Sequence, residues 1–292
     1  MAASPLNPKS KFHGRSNSLP SRPHPLIQTC NEQLNSLRAS GDTSSSPSML
    51  THNIRGLQDL IESVEKLVQL PLSQDSLLHE DELLDGSLRL LDVCSAAKDA
   101  LLHTKECTRE LQSIIRRRKR GGEVELTAEV KRFLSSRKVV KKAISKALAN
   151  LKATSQNCNI ASSTNRDHQT KALISLLKDV EVAALSTFQT LLQYISGTPQ
   201  SKSNSLLSIS KLIQPKRIEC SSLVAHESEF AQVDLGLQCF VFSKTTKSED
   251  KNNLKNQLEK MESCIQDLEE GLEFLFRRLI KIRVSLLNIL NH

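Results

Sequence analysis

LKNQLEKMESCIQDLEEGLEFLFRRLIKIRVSLLNI, running from Leu254 to Ile289, places Leu, Met or Ile at 254, 258, 261, 265, 268, 272, 275, 279, 282, 286 and 289. Steps of four and three residues bring all eleven to one side of an α-helix, the spacing of a heptad seam. Such a seam must lie along other helices, so the stretch marks a packing surface and not a reaction. Its partner could belong to the same chain or to another. In a parallel dimer with Leu258 and Leu272 at the a positions, Arg278 would face Arg283 across the seam, which is repulsive. From Phe274 onward the apolar face also widens to take in Phe276, Ile280, Leu287 and Leu290. A two-stranded seam cannot bury that width, whereas a helix contacted on two sides in its own bundle can. Packing within the chain is therefore favoured over self-association, and a heterologous partner helix is the third reading.

Working outward, the rest of the chain speaks the same language. It has no Trp, one Tyr, eight Phe and nine Gly in 292 residues, with 38% hydrophobic content dominated by aliphatic side chains. That composition favours helices over sheets and suffices for a real core. The sequence predicts an all-α fold, an elongated bundle of long antiparallel helices, preceded by a disordered tail over 1–25 that is rich in Ser, Pro and Arg. Residues 26–292 read as one helical-bundle domain with linkers near 41–49, 154–166, 197–205 and 243–253. Helices are expected over Leu26 to Ser40, Leu50 to Leu70 with a stop at Pro71, Asp81 to Arg120, Val124 to Ala153, and Asp167 to Ile195. Shorter ones are expected at Leu206 to Ile213 and Glu229 to Phe240. The inward set of the third helix is read as Leu84, Leu88, Leu91, Cys94, Leu101, Leu111 and Ile115.

Seven cysteines without C-x-x-C spacing fit reduced thiols in a cytosolic or nuclear protein, with a redox-sensing thiol as the alternative. No stretch reaches the roughly 18 apolar residues of a membrane span. The Ser- and Arg-rich start shares its bias with organelle transit peptides. Catalytic patterns are nearly absent. There is no His-Glu-x-x-His, Walker loop, dinucleotide fingerprint or Gly-x-Ser-x-Gly elbow. The acids Glu80, Asp81, Glu82 and Asp85 beside His79 suit a helix start without any metal. The expectation is a protein without enzymatic activity, cofactor or metal.

Two segments carry interaction signals. Between 116 and 152 stand thirteen Lys/Arg against three Glu, a local excess of ten positive charges in a chain whose net charge is +8. Arg116, Arg117, Arg118, Lys119, Arg120, Lys131, Arg132, Arg137, Lys138, Lys141 and Lys142 are the candidates for contact with an anionic membrane surface. The run 116–120 also has nuclear-import composition. Phe133 is the strip's only aromatic residue, so no stacking platform for nucleic acid exists there. The plain alternative is a solvated helix face paired with acids elsewhere in the bundle. The second segment is Arg15-Ser16-Asn17-Ser18-Leu19-Pro20. It fits a 14-3-3 docking peptide in which a phosphate on Ser18 meets an Arg cluster and Pro20 turns the chain away. Phosphorylation would add about −1.5 to −2 charges at Ser18.

Three blocks resemble a known family. They are Phe12-His-Gly-Arg-Ser-Asn-Ser-Leu-Pro-Ser-Arg-Pro-His-Pro25, the stretch Leu91-Asp-Val-Cys-Ser-Ala-Ala-Lys-Asp99 leading to Thr104-Lys-Glu-Cys-Thr-Arg-Glu-Leu-Gln112, and Arg283-Val-Ser-Leu-Leu-Asn-Ile-Leu-Asn-His292. In this order they resemble the plant Bypass-related family, over most of the chain from Phe12 to His292, with Ser201 to Phe242 matching least. The resemblance implies a non-enzymatic plant protein connected with root and shoot development, and it supplies no catalytic or ligand residues. Together with the residues it yields the expectation of a cytoplasmic protein, nuclear or peripheral at a membrane as alternatives, acting through protein–protein contacts.

Overall fold

Among the described residues each apolar run closes into a helix whose ends follow from local chemistry. The computed structural model describes residues 24–41, 47–78, 80–117, 123–155, 168–198, 228–242 and 248–291, and among them all regular structure is helical. The elements are α1 (Pro25–Gly41), α2 (Pro47–Val68), α3 (Pro71–Leu77), α4 (Asp81–Arg117), α5 (Glu123–Ser155), α6 (His168–Ser196), α7 (Glu229–Phe242) and α8 (Ser248–Leu290). The helix expected over Leu206 to Ile213 lies outside the described residues, as do nearly all of the 1–25 tail and most of the linkers.

Several boundaries differ from the sequence reading for identifiable reasons. Pro71 does not merely stop α2. It is the first residue of the short helix α3, where its fixed φ is favourable and its missing N–H would have had no partner. Ser73 Oγ donates to the Leu67 carbonyl at 2.6 Å, satisfying one of the open carbonyls at the end of α2. The polar hinge expected over 243–253 is shorter, because α8 already begins at Ser248. At the end of α6, Gly197 adopts φ +69°. Its N–H bonds the Tyr194 carbonyl at 3.1 Å and the Thr198 N–H reaches the Gln193 carbonyl at 3.3 Å, the two bonds of a Schellman cap.

The seam residues from Leu254 to Ile289 are all buried, and they are buried against the chain's own helices. α8 runs antiparallel to α4, as successive contacts show: Arg283 with Leu84 and Ser87, Lys98 with Glu273, Arg109 with Glu262. It packs also on α2, α3 and α7. Not every neighbour is antiparallel. Gln58 meets Gly271 and Glu65 meets Arg278, so α2 and α8 run the same way. Glu82 meets Lys178 and Arg89 meets Glu181, so α4 and α6 do too. The widened face of α8 is only partly used: Phe276 packs on the core, while Ile280 stays 41% exposed.

The inward set expected for α4 needs correction at Leu88, and its register is shifted so that Leu84 and Leu91 pack at the edge of the core and not at its centre. Leu88 is 43% exposed, Leu84 and Leu91 are half-buried, and Leu83, Gly86, Ser87, Leu90, Val93, Ala97 and Ala100 face the interior. Small residues stand at 86 and 87 on this face because other groups occupy the space there. A Cβ on Gly86 would sit 2.3 Å from Glu181 Oε2. That carboxylate is gripped by Arg89 through Nε at 2.9 Å and Nη2 at 2.6 Å.

Candidate functional site

The cationic strip splits into two environments on opposite sides of α5. Leu126, Val130, Phe133, Val140 and Ile144 form the buried side, and Arg137 falls into the same register. Arg137 is only 2% exposed, so the expectation that it contacts an anionic membrane surface is overturned. Its Nε donates to Asp234 Oδ1 at 3.1 Å and its Nη2 to Asp234 Oδ2 at 3.2 Å, a two-pronged grip on a carboxylate carried by α7. Nη2 also donates to the Ile195 carbonyl at 2.8 Å, and Nη1 to Thr104 Oγ1 at 3.3 Å. Four of the five guanidinium N–H groups are thereby used.

The Ile195 carbonyl is available for a physical reason. The Schellman cap takes the carbonyls of Gln193 and Tyr194, leaving that of Ile195 open at the negative end of the α6 dipole, where a cation is favoured. Thr104 Oγ1, which accepts from Arg137, donates in turn to the Ala100 carbonyl at 2.7 Å. The Phe230 ring lies 5.3 Å from Arg137 Cζ, and Tyr194 meets Phe230 edge to face at 5.7 Å. Tyr194 donates to Glu229, and burial in this cluster pushes its hydroxyl pKa up. Arg137 thus joins α4, α5, α6 and α7. Ser228 Oγ accepts from the Ala231 N–H at 3.2 Å and caps α7 where it enters the cluster. This part of the strip is a structural joint.

Asp234 is absent from the sequence-derived candidates. A signal was present: it is the lone charge in the apolar run Phe230-Ala-Gln-Val-Asp-Leu-Gly-Leu237, and Arg137 is the lone cation on the inward side of α5. Lys141 belongs partly to the same joint, with Nζ 2.8 Å from Asp234 Oδ2 and its side chain 38% exposed.

The opposite side of α5 is what remains of the cationic candidate. Lys131, Arg132, Lys138, Lys142, Lys146 and Lys152 are exposed. Arg132 meets Glu129 at 3.2 Å, and among the described residues no carboxylate pairs with the five lysines. Arg116 and Arg117 are exposed at the end of α4, whereas Arg118, Lys119 and Arg120 lie outside the described residues. Arg15, Ser16, Ser18 and Pro20 of the docking motif lie outside them as well.

Other polar features are engaged in packing. A groove of about 720 Å³ between α4 and α8 is lined by Lys98, Glu269, Glu273, Phe274, Arg277 and Arg278 among others. Its cations are held by carboxylates, Lys98 with Glu273 at 2.6 Å, Arg277 with Glu273 at 2.7 Å, and Arg278 with Glu65 at 2.7 Å. Between α4 and α5, Ser136 Oγ stands 2.6 Å from His103 Nε2 and 3.0 Å from Cys107 Sγ. The described residues contain no group of three or more His, Cys, Asp and Glu placed to hold a metal ion. Burial pushes the Cys30, Cys94 and Cys264 thiols up to about 11, 12 and 11, which makes them poor nucleophiles at neutral pH. No helix among the described residues is long and apolar enough to cross a membrane.

Among the described residues, fold and surface define an all-α bundle protein with an outward cationic helix face on α5. The family model described as Protein BPS1 matches residues 53–289, from early in α2 to the last turn of α8. The chain belongs to this family, the Bypass-related proteins. No curated protein matches it, and no solved structure does.

Proposed function

We propose that this protein works by contact and not by catalysis, in root and shoot growth or development as its family membership suggests. The observation that carries the reading is the division of its surfaces. The seam of α8 is consumed inside the bundle, and the outer face of α5 is left with unpaired cations among the described residues. The protein meets its partners through outward elements attached to a closed core. The Ser136 and His103 pair gives no counter-argument, since His103 is exposed and the Ser136 hydroxyl is shared with Cys107.

The N-terminal motif supplies the regulated contact. Arg15 stands three residues before Ser18, the placement a basophilic kinase needs, and Pro20 follows two residues after. Phosphorylated on Ser18, the chain docks to a 14-3-3 protein; unmodified, it does not. Full-length protein phosphorylated at Ser18 should co-elute with a 14-3-3 dimer in size-exclusion chromatography, and the Ser18→Ala chain treated with the same kinase should not. Equal co-elution of the two would sink this part of the reading.

A further inference from the structure

We propose that the outer face of α5 is a membrane-contact surface that lies flat against a bilayer rich in anionic lipid. The proposal rests on the reading of that face as an outward contact element and names its partner. Taken at 100° per residue, Lys131, Lys138, Lys142, Lys146 and Lys152 fall within about 120° of one another, directly across the helix from Phe133, Val140 and Ile144. Over 21 residues they span about 31 Å along the axis. The sequence has no Asp or Glu from Val130 through Arg166, so this length of α5 carries no carboxylate of its own. Elsewhere in the bundle, cations such as Arg89, Lys105, Arg109 and Arg278 each meet a carboxylate.

The chemistry of the face selects lipid over nucleic acid. Base stacking needs exposed aromatic rings, and Phe133 is 2% exposed and points into the core. The outward cations are lysines apart from Arg132, and the strip's one rigidly held guanidinium, Arg137, is buried. Lysines standing one turn apart at 138, 142 and 146 match a plane of headgroups rather than a fixed pattern of base edges. Their aliphatic stems can lie along the headgroup layer while the ammonium groups reach phosphates. Val139, 64% exposed at the margin of the face, and the exposed Ala143 give a shallow apolar edge, too small for deep insertion. Contact is therefore electrostatic and salt-sensitive, and the buried side of α5 stays in the bundle.

The test uses full-length protein in flotation with phosphatidylcholine vesicles, alone or with phosphatidylserine at about 30 mol%, a fraction chosen to give the strongly negative surface of a serine-lipid-rich membrane. Binding is expected only to the anionic vesicles, with a loss of at least about tenfold when salt is raised from low to several hundred millimolar. The triple variant Lys138→Glu, Lys142→Glu, Lys146→Glu should lose at least about 100-fold in partitioning, at roughly a tenfold loss per one to two charges removed. A control with the same change in net charge, Lys171→Glu, Lys255→Glu, Lys260→Glu on exposed positions of α6 and α8, should stay within about threefold of wild type. All six positions are exposed and, among the described residues, only Lys255 meets a carboxylate, Glu259 at 3.7 Å, so both variants should melt within a few degrees of wild type. Equal binding to neutral vesicles, equal loss in the two triples, or full binding by the α5 triple would each overturn the proposal. A polyuridylate RNA arm separates the two layers of inference. RNA binding that depends on Lys138, Lys142 and Lys146, without vesicle binding, overturns the lipid assignment and keeps α5 as a contact surface. Failure of both overturns both.

Discussion

α5 and α8 are both long, amphipathic and rich in cations, yet they end in opposite roles. On α8, Arg277 is held by Glu273, Arg278 by Glu62 and Glu65, and Arg283 by the Leu84 carbonyl and Ser87. On α5, inward Arg137 and flanking Lys141 are held by Asp234, while the outward lysines meet no carboxylate among the described residues. The number of charges does not separate a packing helix from a contact helix. Partnering does, and partnering is a tertiary property.

The largest effect should come from removing α8. Its eleven seam side chains are each worth about 1.5–3 kcal/mol when fully buried, more together than the whole stability of an ordinary domain at about 5–15 kcal/mol. A chain ending at residue 253 should show no cooperative thermal transition by circular dichroism. A stably folded remainder that has merely become monomeric would erase the contrast and restore the seam as a device for self-association.

The contrast can be drawn more finely on two adjacent residues. Arg137→Ala leaves the Asp234 carboxylate in a buried site without its main partner, and should cost about 3–5 kcal/mol in denaturant unfolding. Lys138→Ala removes an exposed charge and should stay within about 0.5 kcal/mol of wild type. Combining Arg137→Met with Asp234→Leu should recover most of the loss, because an apolar pair of similar volume avoids desolvating two charges. Equal costs at 137 and 138 would mean that the two sides of α5 are not the separate environments described here.

These two residues also show how much the sequence disclosed. The seam and the aliphatic periodicity give the all-α class directly, since heptad spacing has one structural meaning. Even Arg137 was readable in principle, because 126, 130, 133, 137, 140 and 144 advance in steps of three and four. What the sequence does not show is the pairing with Asp234, about a hundred residues away, which makes a buried arginine tolerable. A run of cations naturally looks like a single surface until its acid is found. The register of α4 was hidden differently. Hydrophobicity points to Leu84, Leu88 and Leu91, yet the interior face carries Gly86 and Ser87 because Glu181 and Arg283 fill the space there. Small residues are quiet in a hydrophobicity profile and decisive in close packing.

Gly197 probes the joint behind the contact face. Its φ of +69° is a conformation L side chains rarely adopt, and a Cβ there would meet the Ala231 backbone N and Cα of α7 at 3.2 Å. Gly197→Ala should cost about 1–2 kcal/mol from the backbone conformation alone. Because it disturbs the α6 cap beside the Ile195 carbonyl, its effect should be less than additive with that of Arg137→Ala. A double mutant whose loss equals the sum would show that the cap and the guanidinium act independently, and that the open carbonyl is not what holds Arg137.

The smallest expected effect lies on α8, where exposed charges are paired. Hydrogen bonds from Lys98 and Arg277 hold the Glu273 carboxyl below the usual value of 4.5. A carboxyl whose pKa is depressed by folding binds fewer protons in the native state, so its stabilisation is present above about pH 4.5 and is lost as pH falls through the lower native value. Wild type should therefore melt slightly above Glu273→Gln at neutral pH, by about 1–2 °C given the solvent exposure of the pair. The gap should close as pH falls below about 4.5 and through the lower native value, where Glu273 takes up a proton and becomes uncharged like the glutamine. Melting curves of the two proteins across that range, at low and high salt, provide the check. A gap that persists once Glu273 is protonated would mean that Glu273 contributes through its shape against Lys98 and not through its charge. The pairing that sets α8 apart from α5 would then be a consequence of packing at that position and not part of what holds it.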